Sequence, residues 1–165
     1  MLTACGRTDE PVAQTTAADG NDYTLGNVIR FGKGGGSEAY RLSGWSDTEK
    51  EFTWTTGQSA TLLLTIPKVD HPLKLRMRLG GFIKAPELPF QPVEVLANDQ
   101  KIGDWQVSSP KEFTALIPAE IANQGQLTLE IRMPKATSPQ SVGVSEDSRV
   151  LGVNCFYLAL TKAGE

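Results

Sequence analysis

The strict alternation of apolar and charged residues beginning at Leu73 is the feature that most constrains the fold. Apolar side chains occupy every second position of Leu73-Lys74-Leu75-Arg76-Met77-Arg78-Leu79, and cations occupy the positions between them. Successive side chains of a β-strand point to opposite faces, whereas a helix would mix both kinds on each face. The segment 73–82 therefore predicts a strand with one buried and one solvated face, which is typical of antiparallel sheets.

Further strand patterns recur from Tyr23 to Leu160, and no segment keeps helical periodicity over three turns. The predicted strands are 25–31, 39–43, 52–54, 60–66, 73–82, 92–97, 101–107, 113–117, 127–133 and 150–160. A polar hairpin turn is predicted at 98–100, and a single helical turn at 118–123. Short strands separated by Gly and Pro predict an all-β fold, an antiparallel two-sheet β-sandwich.

Length and charge narrow the classes of protein that the chain can belong to. The 165 residues carry a net charge of -3, and 21% of them are charged. Lys and Arg are dispersed along strands, so no nucleic-acid partner is expected. No run approaches the roughly 20 apolar residues of a membrane-spanning helix. With residues 1–22 set aside, residues 23–162 predict one β-sandwich domain.

The N-terminal residues indicate a location. Leu2-Thr3-Ala4-Cys5 resembles a bacterial lipobox, in which the cysteine becomes the acylated first residue of the mature chain. Cys5 is therefore the predicted lipidation site. Four residues can match by chance, and those before Cys5 leave no room for a signal peptide, so coding sequence upstream of Met1 is expected.

The segment after Cys5 supports the lipobox interpretation. Residues 6–22 are rich in Thr, Ala, Asp and Gly without apolar periodicity, which is typical of a flexible spacer. Residues 1–22 are thus predicted to be a lipobox remnant and spacer that tether the domain in the bacterial periplasm. The residue after Cys5 is Gly6 rather than Asp. By resemblance to enterobacterial lipoproteins, this favours the outer membrane over retention in the inner membrane.

Two ordered series of residues carry a resemblance to a known domain family. The first runs through Tyr23-Thr24-Leu25-Gly26, Ile29-Arg30-Phe31-Gly32, Tyr40-Arg41-Leu42-Ser43-Gly44-Trp45-Ser46, Glu49 and Phe52-Thr53-Trp54-Thr55-Thr56-Gly57 with Ala60. The second comprises Pro92-Val93-Glu94-Val95-Leu96-Ala97-Asn98, Trp105, Pro118, Ser138-Pro139, Gly143, Ser145, Asp147-Ser148-Arg149 and Leu151-Gly152.

Together these residues resemble an extracytoplasmic β-sandwich domain found at the C-terminus of bacterial membrane glycosyl and phosphoglycerol transferases. That resemblance covers nearly everything from Tyr23 onward. It implies a galactose-binding-like jelly roll, and it leaves a calcium ion in a loop as an open possibility. This chain carries no transferase, so the resemblance implies no catalytic association for it.

A search for catalytic chemistry finds no set of residues that could perform it. His71 is the single histidine and lies in a predicted turn, where a solvated surface role is expected. Sequence neighbours such as Glu146 and Asp147 do not indicate the two facing carboxyls of a glycosidase. The stretch Gly32–Gly36 lacks the helix and Lys-Ser pair of a phosphate loop, and fits a flexible connection or a close backbone approach. We therefore predict no enzyme activity, no metal site and no cofactor.

The predicted ligand-binding residues lie in two polar segments. Trp45, Asp47 and Glu49 follow Gly44 in what resembles a loop, and Arg149 lies in a second polar loop before the last strand. Sugars pack their C–H faces on Trp rings while carboxylates and Arg bind hydroxyls. A structural salt bridge from Arg149 to Asp47 or Glu49 is an equally good interpretation.

The remaining aromatic and sulfur-bearing candidates have structural interpretations. Trp54 and Trp105 are expected to fill the core or cap its ends, and Cys155 is expected to be a buried free thiol. For Trp45 the packed and ligand-binding interpretations stay open.

Two functional hypotheses follow. The first is a non-catalytic envelope lipoprotein domain that recognises carbohydrate or glycan-bearing partners through loops at one end of the sandwich. The alternative is a protein-interaction or assembly subunit of an envelope polysaccharide machine, in which an exposed edge strand or sheet face matters more.

Overall fold

Strands form where the sequence alternates. The computed structural model describes residues 20–164. Its strands are β1 (Val28–Arg30), β2 (Arg41–Ser43), β3 (Trp45–Thr48), β4 (Thr53–Thr56), β5 (Ser59–Thr65), β6 (Leu73–Gly81), β7 (Gln91–Ala97), β8 (Gln100–Val107), β9 (Lys111–Ile117), β10 (Gln126–Arg132) and β11 (Leu151–Lys162). A 3-10 turn at Ser37–Ala39 precedes β2, and a one-turn helix, α1 (Ala119–Ala122), follows β9.

The strands build two antiparallel sheets, which confirms the predicted β-sandwich. Sheet A has the order β3-β4-β11-β6-β9, and β1 also pairs with β11. Sheet B has the order β2-β5-β10-β7-β8. Every pairing between these strands is antiparallel. Sheet A therefore has β11 at its centre, and the edge strand β8 closes one side of sheet B.

The interior lies between the two sheets and is filled by the apolar half of each alternating strand. Leu75 and Met77 of β6 are fully buried, while Arg76 and Arg78 between them are partly exposed. Leu62, Leu64, Leu127, Leu129 and Ile131 fill the same interior from sheet B. Fully burying one such side chain stabilises a fold by about 1.5–3 kcal/mol, so this alternation supplies most of the driving force.

The hairpin between β7 and β8 forms at the predicted place. Asn98 and Asp99 have φ values of 47° and 72°. A two-residue hairpin turn of type I′ needs positive φ at both positions, and Asn and Asp tolerate it best among non-glycine residues. The Asn98 side chain also accepts a hydrogen bond from Thr128 N–H at 2.7 Å, which anchors the turn to β10.

The chain passes from sheet B to sheet A at Gly44, and here one prediction is wrong. The residues after Gly44 form strand β3 rather than a loop, with Trp45 as its first residue. Gly44 has a φ of 83°, and a Cβ atom there would lie 2.1 Å from the Ser59 carbonyl oxygen. Only glycine permits this backbone conformation so close to β5. The polar residues on either side of Trp45 are typical of a loop, and for that reason the sequence did not predict β3.

Two smaller predictions have definite outcomes. The one-turn helix expected at 118–123 is confirmed as α1, and no helix within residues 20–164 is long and apolar enough to cross a membrane. Cys155 is confirmed as buried, and burial raises the pKa of its thiol well above the usual value. Cys5, together with almost all of the predicted spacer, lies outside the described residues.

Candidate functional site

The structure brings part of the predicted ligand-binding set together around one guanidinium group. Arg149 donates to Asp147, with an Nη2 to Oδ2 distance of 2.7 Å, and its Nη1 donates to Ser46 Oγ at 2.8 Å. Glu49 lies 3.9 Å away, whereas Asp47 is exposed and forms no ion pair with Arg149 among residues 20–164. Asp147, which was not in the predicted set, is the main partner of Arg149.

This cluster joins β3 to the loop before β11. The Arg149 guanidinium lowers the pKa of Asp147, as a charge-assisted hydrogen bond to a carboxylate should. Trp45 packs its ring 5.2 Å from the ring of Phe31 and donates its indole N–H to the Thr61 carbonyl at 2.9 Å. The Arg149 guanidinium and the Trp45 indole N–H are thus already hydrogen-bonded within the fold. Ligand contact by Trp45, Asp47, Glu49 and Arg149 stays a prediction.

The other two tryptophans differ from each other. Trp105 is 8% exposed, stacks on Phe113 and belongs to the core, as expected. Trp54 is not in the interior, which corrects the expectation for this residue. It lies half-buried on the outer face of sheet A, because Thr53 and Thr55 occupy the buried positions of β4.

A β-bulge in β11 adds two more aromatic side chains to that outer face. The register of β11 against β6 shifts between Cys155 and Tyr157. Cys155 and Leu158 point inward and are buried, while Phe156 and Tyr157 between them are both partly exposed. A bulge inserts one extra residue and re-aims side chains, and bulges are common beside functional sites.

These residues form an aromatic face, which we define as Phe52, Trp54 and Phe156. The ring of Phe52 lies 5.3 Å from the ring of Phe156 and 6.0 Å from that of Trp54, and it meets Trp54 edge-on. The guanidinium carbon of Arg78 lies 5.6 Å from the centre of the Phe156 ring. A partly exposed aromatic surface flanked by a hydrogen-bond donor thereby forms on β4 and β11 and on the residue that precedes β4.

A cleft of about 480 Å³ adjoins the aromatic face at Phe156. We call it the basic cleft, because its walls carry Arg30, Lys33, Lys50 and Arg78, together with Glu51, Phe156, Tyr157 and three glycines. Arg30, Tyr157 and Arg78 stand opposite one another on β1, β11 and β6. The cleft is therefore continuous with the outer face of sheet A.

The glycine-rich stretch Gly32–Gly36 forms one wall of this cleft. A Cβ atom at Gly35 would lie 2.3 Å from the Arg30 carbonyl oxygen, and one at Gly32 would lie 2.6 Å from the Lys50 carbonyl oxygen. Lys33 N–H donates to the same Lys50 carbonyl at 3.2 Å. Of the two interpretations offered by the sequence, close approach of backbone to backbone is the one observed.

A second concave surface lies beside the edge strand β8. This groove has a volume of about 720 Å³ and is lined by Glu87, Leu88, Pro89, Phe90, Pro92, Val93, Glu94, Asp104, Trp105, Gln106, Pro134 and Lys135. Its aromatic contribution is limited, because Trp105 is almost buried and donates its N–H to the Thr114 carbonyl at 3.1 Å. Prolines and acidic side chains dominate the rest.

The described residues contain no group of three or more His, Cys, Asp and Glu side chains arranged to hold a metal ion. His71 lies partly buried in the turn before β6, where its Nδ1 is 3.1 Å from the Pro72 carbonyl oxygen. It is therefore less exposed than expected for a solvated surface residue.

The aromatic face was missed by the sequence analysis, although one signal pointed to it. Apolar positions in an uninterrupted strand recur every second residue, yet Cys155 and Leu158 are three apart with two aromatics between them. That spacing indicates a bulge. The outward position of Phe52 and Trp54 had no such signal, since aromatic residues usually mark the buried face.

Comparisons with known proteins place the fold. No protein-family model matches the chain, and no curated protein matches it by sequence. Among solved structures, the chain is similar to the CBM36-1 domain of a multidomain xylanase from the hindgut metagenome of Trinervitermes trinervoides. The TM-score is 0.51 at 15% identity, over 84% of this chain and 98% of that one.

Two further solved structures are similar at lower scores. CsCBM6-3 from Clostridium stercorarium, solved in complex with cellobiose, has a TM-score of 0.49 at 11% identity, over 85% of this chain and 96% of that one. A CBM35 from Paenibacillus barcinonensis has a TM-score of 0.43 at 11% identity, over 84% and 91%. CBM denotes a carbohydrate-binding module. At these identities the likeness concerns the fold alone, an antiparallel two-sheet β-sandwich, which is the architecture expected from the sequence.

Proposed function

We propose that this protein is a non-catalytic carbohydrate-binding domain whose glycan site is the outer face of sheet A. The observation that carries the proposal is the aromatic face of Phe52, Trp54 and Phe156, three adjacent aromatic side chains on a solvent-facing sheet. A contiguous apolar patch that is partly exposed to solvent often marks a binding site. Sugar rings present apolar C–H surfaces that pack well on aromatic rings.

The arrangement of polar groups supports the same site. Arg78 lies against Phe156, and the basic cleft next to it offers further N–H donors for hydroxyl or acid groups. In the cluster around Arg149, by contrast, the donors are already used within the fold. Trp45 donates to the Thr61 carbonyl, and Arg149 donates to Asp147 and Ser46. The likeness of the fold to carbohydrate-binding modules is consistent with this function.

The proposal is tested by affinity electrophoresis and calorimetry against a panel of soluble polysaccharides and oligosaccharides. We expect the wild-type domain to bind at least one of them. The single variants Trp54→Ala and Phe156→Ala should each weaken that binding about tenfold or more, because aromatic residues are commonly hot spots of binding. Leu42→Ala is the matched control, because Leu42 is 59% exposed on β2 of the other sheet.

Two results would contradict this site. Absence of binding to the whole panel removes the carbohydrate function. Loss of binding in Trp45→Ala or Arg149→Ala, with normal binding in the Trp54 and Phe156 variants, moves the site to the loops. Circular dichroism of each variant excludes loss of folding as the cause.

We also propose that Cys5 is lipidated and that residues 6–22 act as a spacer, so that the domain works in the bacterial periplasm, at the outer membrane. Tethering raises the effective concentration of a binding site, so even weak glycan affinity becomes useful. Expression from the full gene with its upstream codons should give a membrane-bound protein whose mass includes acyl chains. Cys5→Ser should release it into the soluble fraction, and an unchanged membrane fraction would contradict the proposal.

A second candidate function, an assembly subunit of an envelope polysaccharide machine, is favoured by the groove beside β8. An edge strand with an adjacent apolar groove can accept an extended segment from a partner, through main-chain hydrogen bonds and side-chain pockets. Phe90 and Pro92 line that groove. Pull-down from solubilised membranes should then recover a stable protein partner without added sugar, and Phe90→Ser should abolish its recovery.

A further inference from the structure

Six of the eleven lysine and arginine side chains described outside the basic cleft are paired with carboxylates. Arg41, Arg76, Lys84, Lys101, Arg132 and Arg149 all form ion pairs. Within residues 20–164, none of the four cations of the cleft, Arg30, Lys33, Lys50 and Arg78, lies within ion-pair distance of a carboxylate. Their charge is therefore available to a ligand.

The sheet places two of these cations on the strands that flank Tyr157. Arg30 stands opposite Tyr157 on β11, and Tyr157 stands opposite Arg78 on β6. Adjacent strands lie roughly 4.8 Å apart, so the Cα atoms of the two arginines are separated by about 10 Å. A single acidic group above Tyr157 lies within reach of both long side chains.

Of the described residues, Glu51 is the one carboxylate that lines the cleft, and the carboxylate on the strand beside Arg78 is already occupied. Glu112 stands opposite Arg78 on β9, yet it bonds Arg76 at 3.3 Å and accepts a hydrogen bond from the Tyr157 hydroxyl. These contacts lower the pKa of Glu112, with the Tyr157 hydrogen bond the largest cause. Arg78 instead turns toward the ring of Phe156. With four cations and one carboxylate, Glu51, the cleft keeps an excess of positive charge in a chain whose net charge is -3.

From this arrangement we infer that the basic cleft binds an acidic saccharide, in which a sugar ring packs on Phe156 and its carboxylate or phosphate group meets Arg30, Arg78 and the two lysines. The inference rests on the proposed carbohydrate function and adds the charge of the ligand. A bare anion would use only the cations and leave the aromatic face bare. A ligand with an apolar ring face and an acid uses both.

A single-stranded nucleic acid also combines stacking with negative charge, but the observations favour the smaller ligand. Nucleic-acid grooves follow the backbone over several nucleotides, with cations along their length. Here four cations surround one cleft of about 480 Å³ rather than following an extended groove. The negative net charge of the protein also opposes the approach of a long polyanion.

The experiment compares ligands that differ only in charge. Calorimetry of the full domain with an oligogalacturonate and with its neutral methyl ester should show tighter binding of the acid by about tenfold, the factor expected from one charge-assisted hydrogen bond. A sugar phosphate and its parent sugar form a second pair, which distinguishes phosphate from carboxylate as the acid. Raising the ionic strength should lower the affinity for the acidic ligand and leave the affinity for the neutral ligand unchanged.

Variants locate the effect. Arg78→Gln and Lys50→Gln should each reduce binding of the acidic ligand about three- to tenfold without changing the neutral one. Lys74→Gln is the matched control, since Lys74 lies on the same face of β6 but outside the cleft. If Arg78→Gln fails to fold, Lys50→Gln and Lys33→Gln carry the test, because both side chains are exposed on turns.

The outcomes separate the inference from the function on which it rests. Equal binding of acidic and neutral ligands overturns the inference and leaves the carbohydrate function standing. No saccharide binding at all removes both. Equal competition by inorganic phosphate or by an oligodeoxythymidylate overturns the inference, as does an equal loss in Lys74→Gln, which would indicate diffuse surface charge.

Discussion

At the scale of single residues, β4 reverses the usual placement of side chains. Its threonines point into the core and its tryptophan points outward. The buried hydroxyls are bonded: Thr53 donates to the Phe31 carbonyl at 2.6 Å, and Thr55 accepts from Val153 N–H at 3.1 Å. Each hydroxyl therefore satisfies backbone groups that the sheet leaves unpaired, and Trp54 is left free for the outer face.

Thr55 provides a prediction at this scale. Its hydroxyl bonds the backbone of Val153 where β11 changes register against β4. Thr55→Val keeps the shape but leaves buried backbone groups without a partner, and we expect a loss of about 1–3 kcal/mol in the free energy of unfolding. Urea denaturation measures it. Thr114→Val, at an exposed position of β9, should change stability by less than about 0.5 kcal/mol. Equal effects of the two changes would contradict the role given to Thr55.

Asp147 provides a second, pH-dependent prediction. Arg149 lowers the pKa of Asp147 in the folded protein below its usual value of 3.8. A lowered folded pKa means that the ionised group stabilises the fold above its usual pKa, and that this contribution is lost as the pH falls through the folded value. Asp147→Asn should therefore lower the denaturation midpoint at about pH 7 and have a smaller effect near about pH 2–3.

The neighbouring Glu146 supplies the control for this measurement, since it is exposed in the same loop. Glu146→Gln should leave the midpoint nearly constant at both pH values. A difference between wild type and Asp147→Asn that does not shrink on acidification would show that the Arg149 ion pair is not its cause.

At the scale of secondary-structure elements, the turn at Gly44 carries the chain from β2 in sheet B to β3 in sheet A. We expect Gly44→Ala to be severely destabilising, because the new methyl group would occupy the position of the Ser59 carbonyl oxygen. Gly143→Ala is the matched comparison: its φ is also positive, at 77°, but its surroundings are open. That change should cost only the left-handed strain of about 1–2 kcal/mol.

Thermal and urea unfolding of the two variants measure this difference. If Gly44→Ala lowers the free energy of unfolding no more than Gly143→Ala does, the positive φ alone accounts for the need for glycine at position 44. The close approach to β5 then contributes nothing to the cost of the substitution.

The elements also show what sequence could and could not foretell. Alternation located β5, β6, β7, β8 and β10 to within a residue or two, because burial of one face acts at every second position. It could not locate β3, since a four-residue edge strand with polar residues buries too little to leave a pattern. The pairing of Arg149 with Glu49 is one of the two that the sequence left open. The stronger pairing with Asp147 is a local contact two residues away that was not weighed, and the aromatic face depends on the register of β11 and its bulge.

At the scale of the whole molecule, the sandwich includes chain on both sides of the predicted domain 23–162. Asn21 accepts a backbone hydrogen bond from Thr65, and Ala163 donates one to Pro72. Tyr23 is 4% exposed, and its hydroxyl accepts from Leu160 N–H at 2.8 Å. Residues 21–23 thus tie β5 of one sheet to β11 of the other.

A truncation series tests this boundary. A chain beginning at Gly20, the first described residue, is the reference, and the full chain is measured beside it. A chain beginning at Leu25 loses the Tyr23 side chain and its bond to β11, and it should be less stable by about 3–5 kcal/mol, the usual cost of removing a buried aromatic. Differential scanning calorimetry of the three chains measures both steps. An unchanged midpoint for the chain beginning at Leu25 would place the boundary later.

The position of β11 has a consequence for biosynthesis. This strand of 12 residues is the last of the sandwich to leave the ribosome, yet it is the middle of sheet A, between β4 and β6. A nascent chain that lacks it has two half-sheets with bare edges that cannot join. Sheet A therefore cannot assemble before β11 has been synthesised, and any chaperone that guards the growing polypeptide must shield those edges until then.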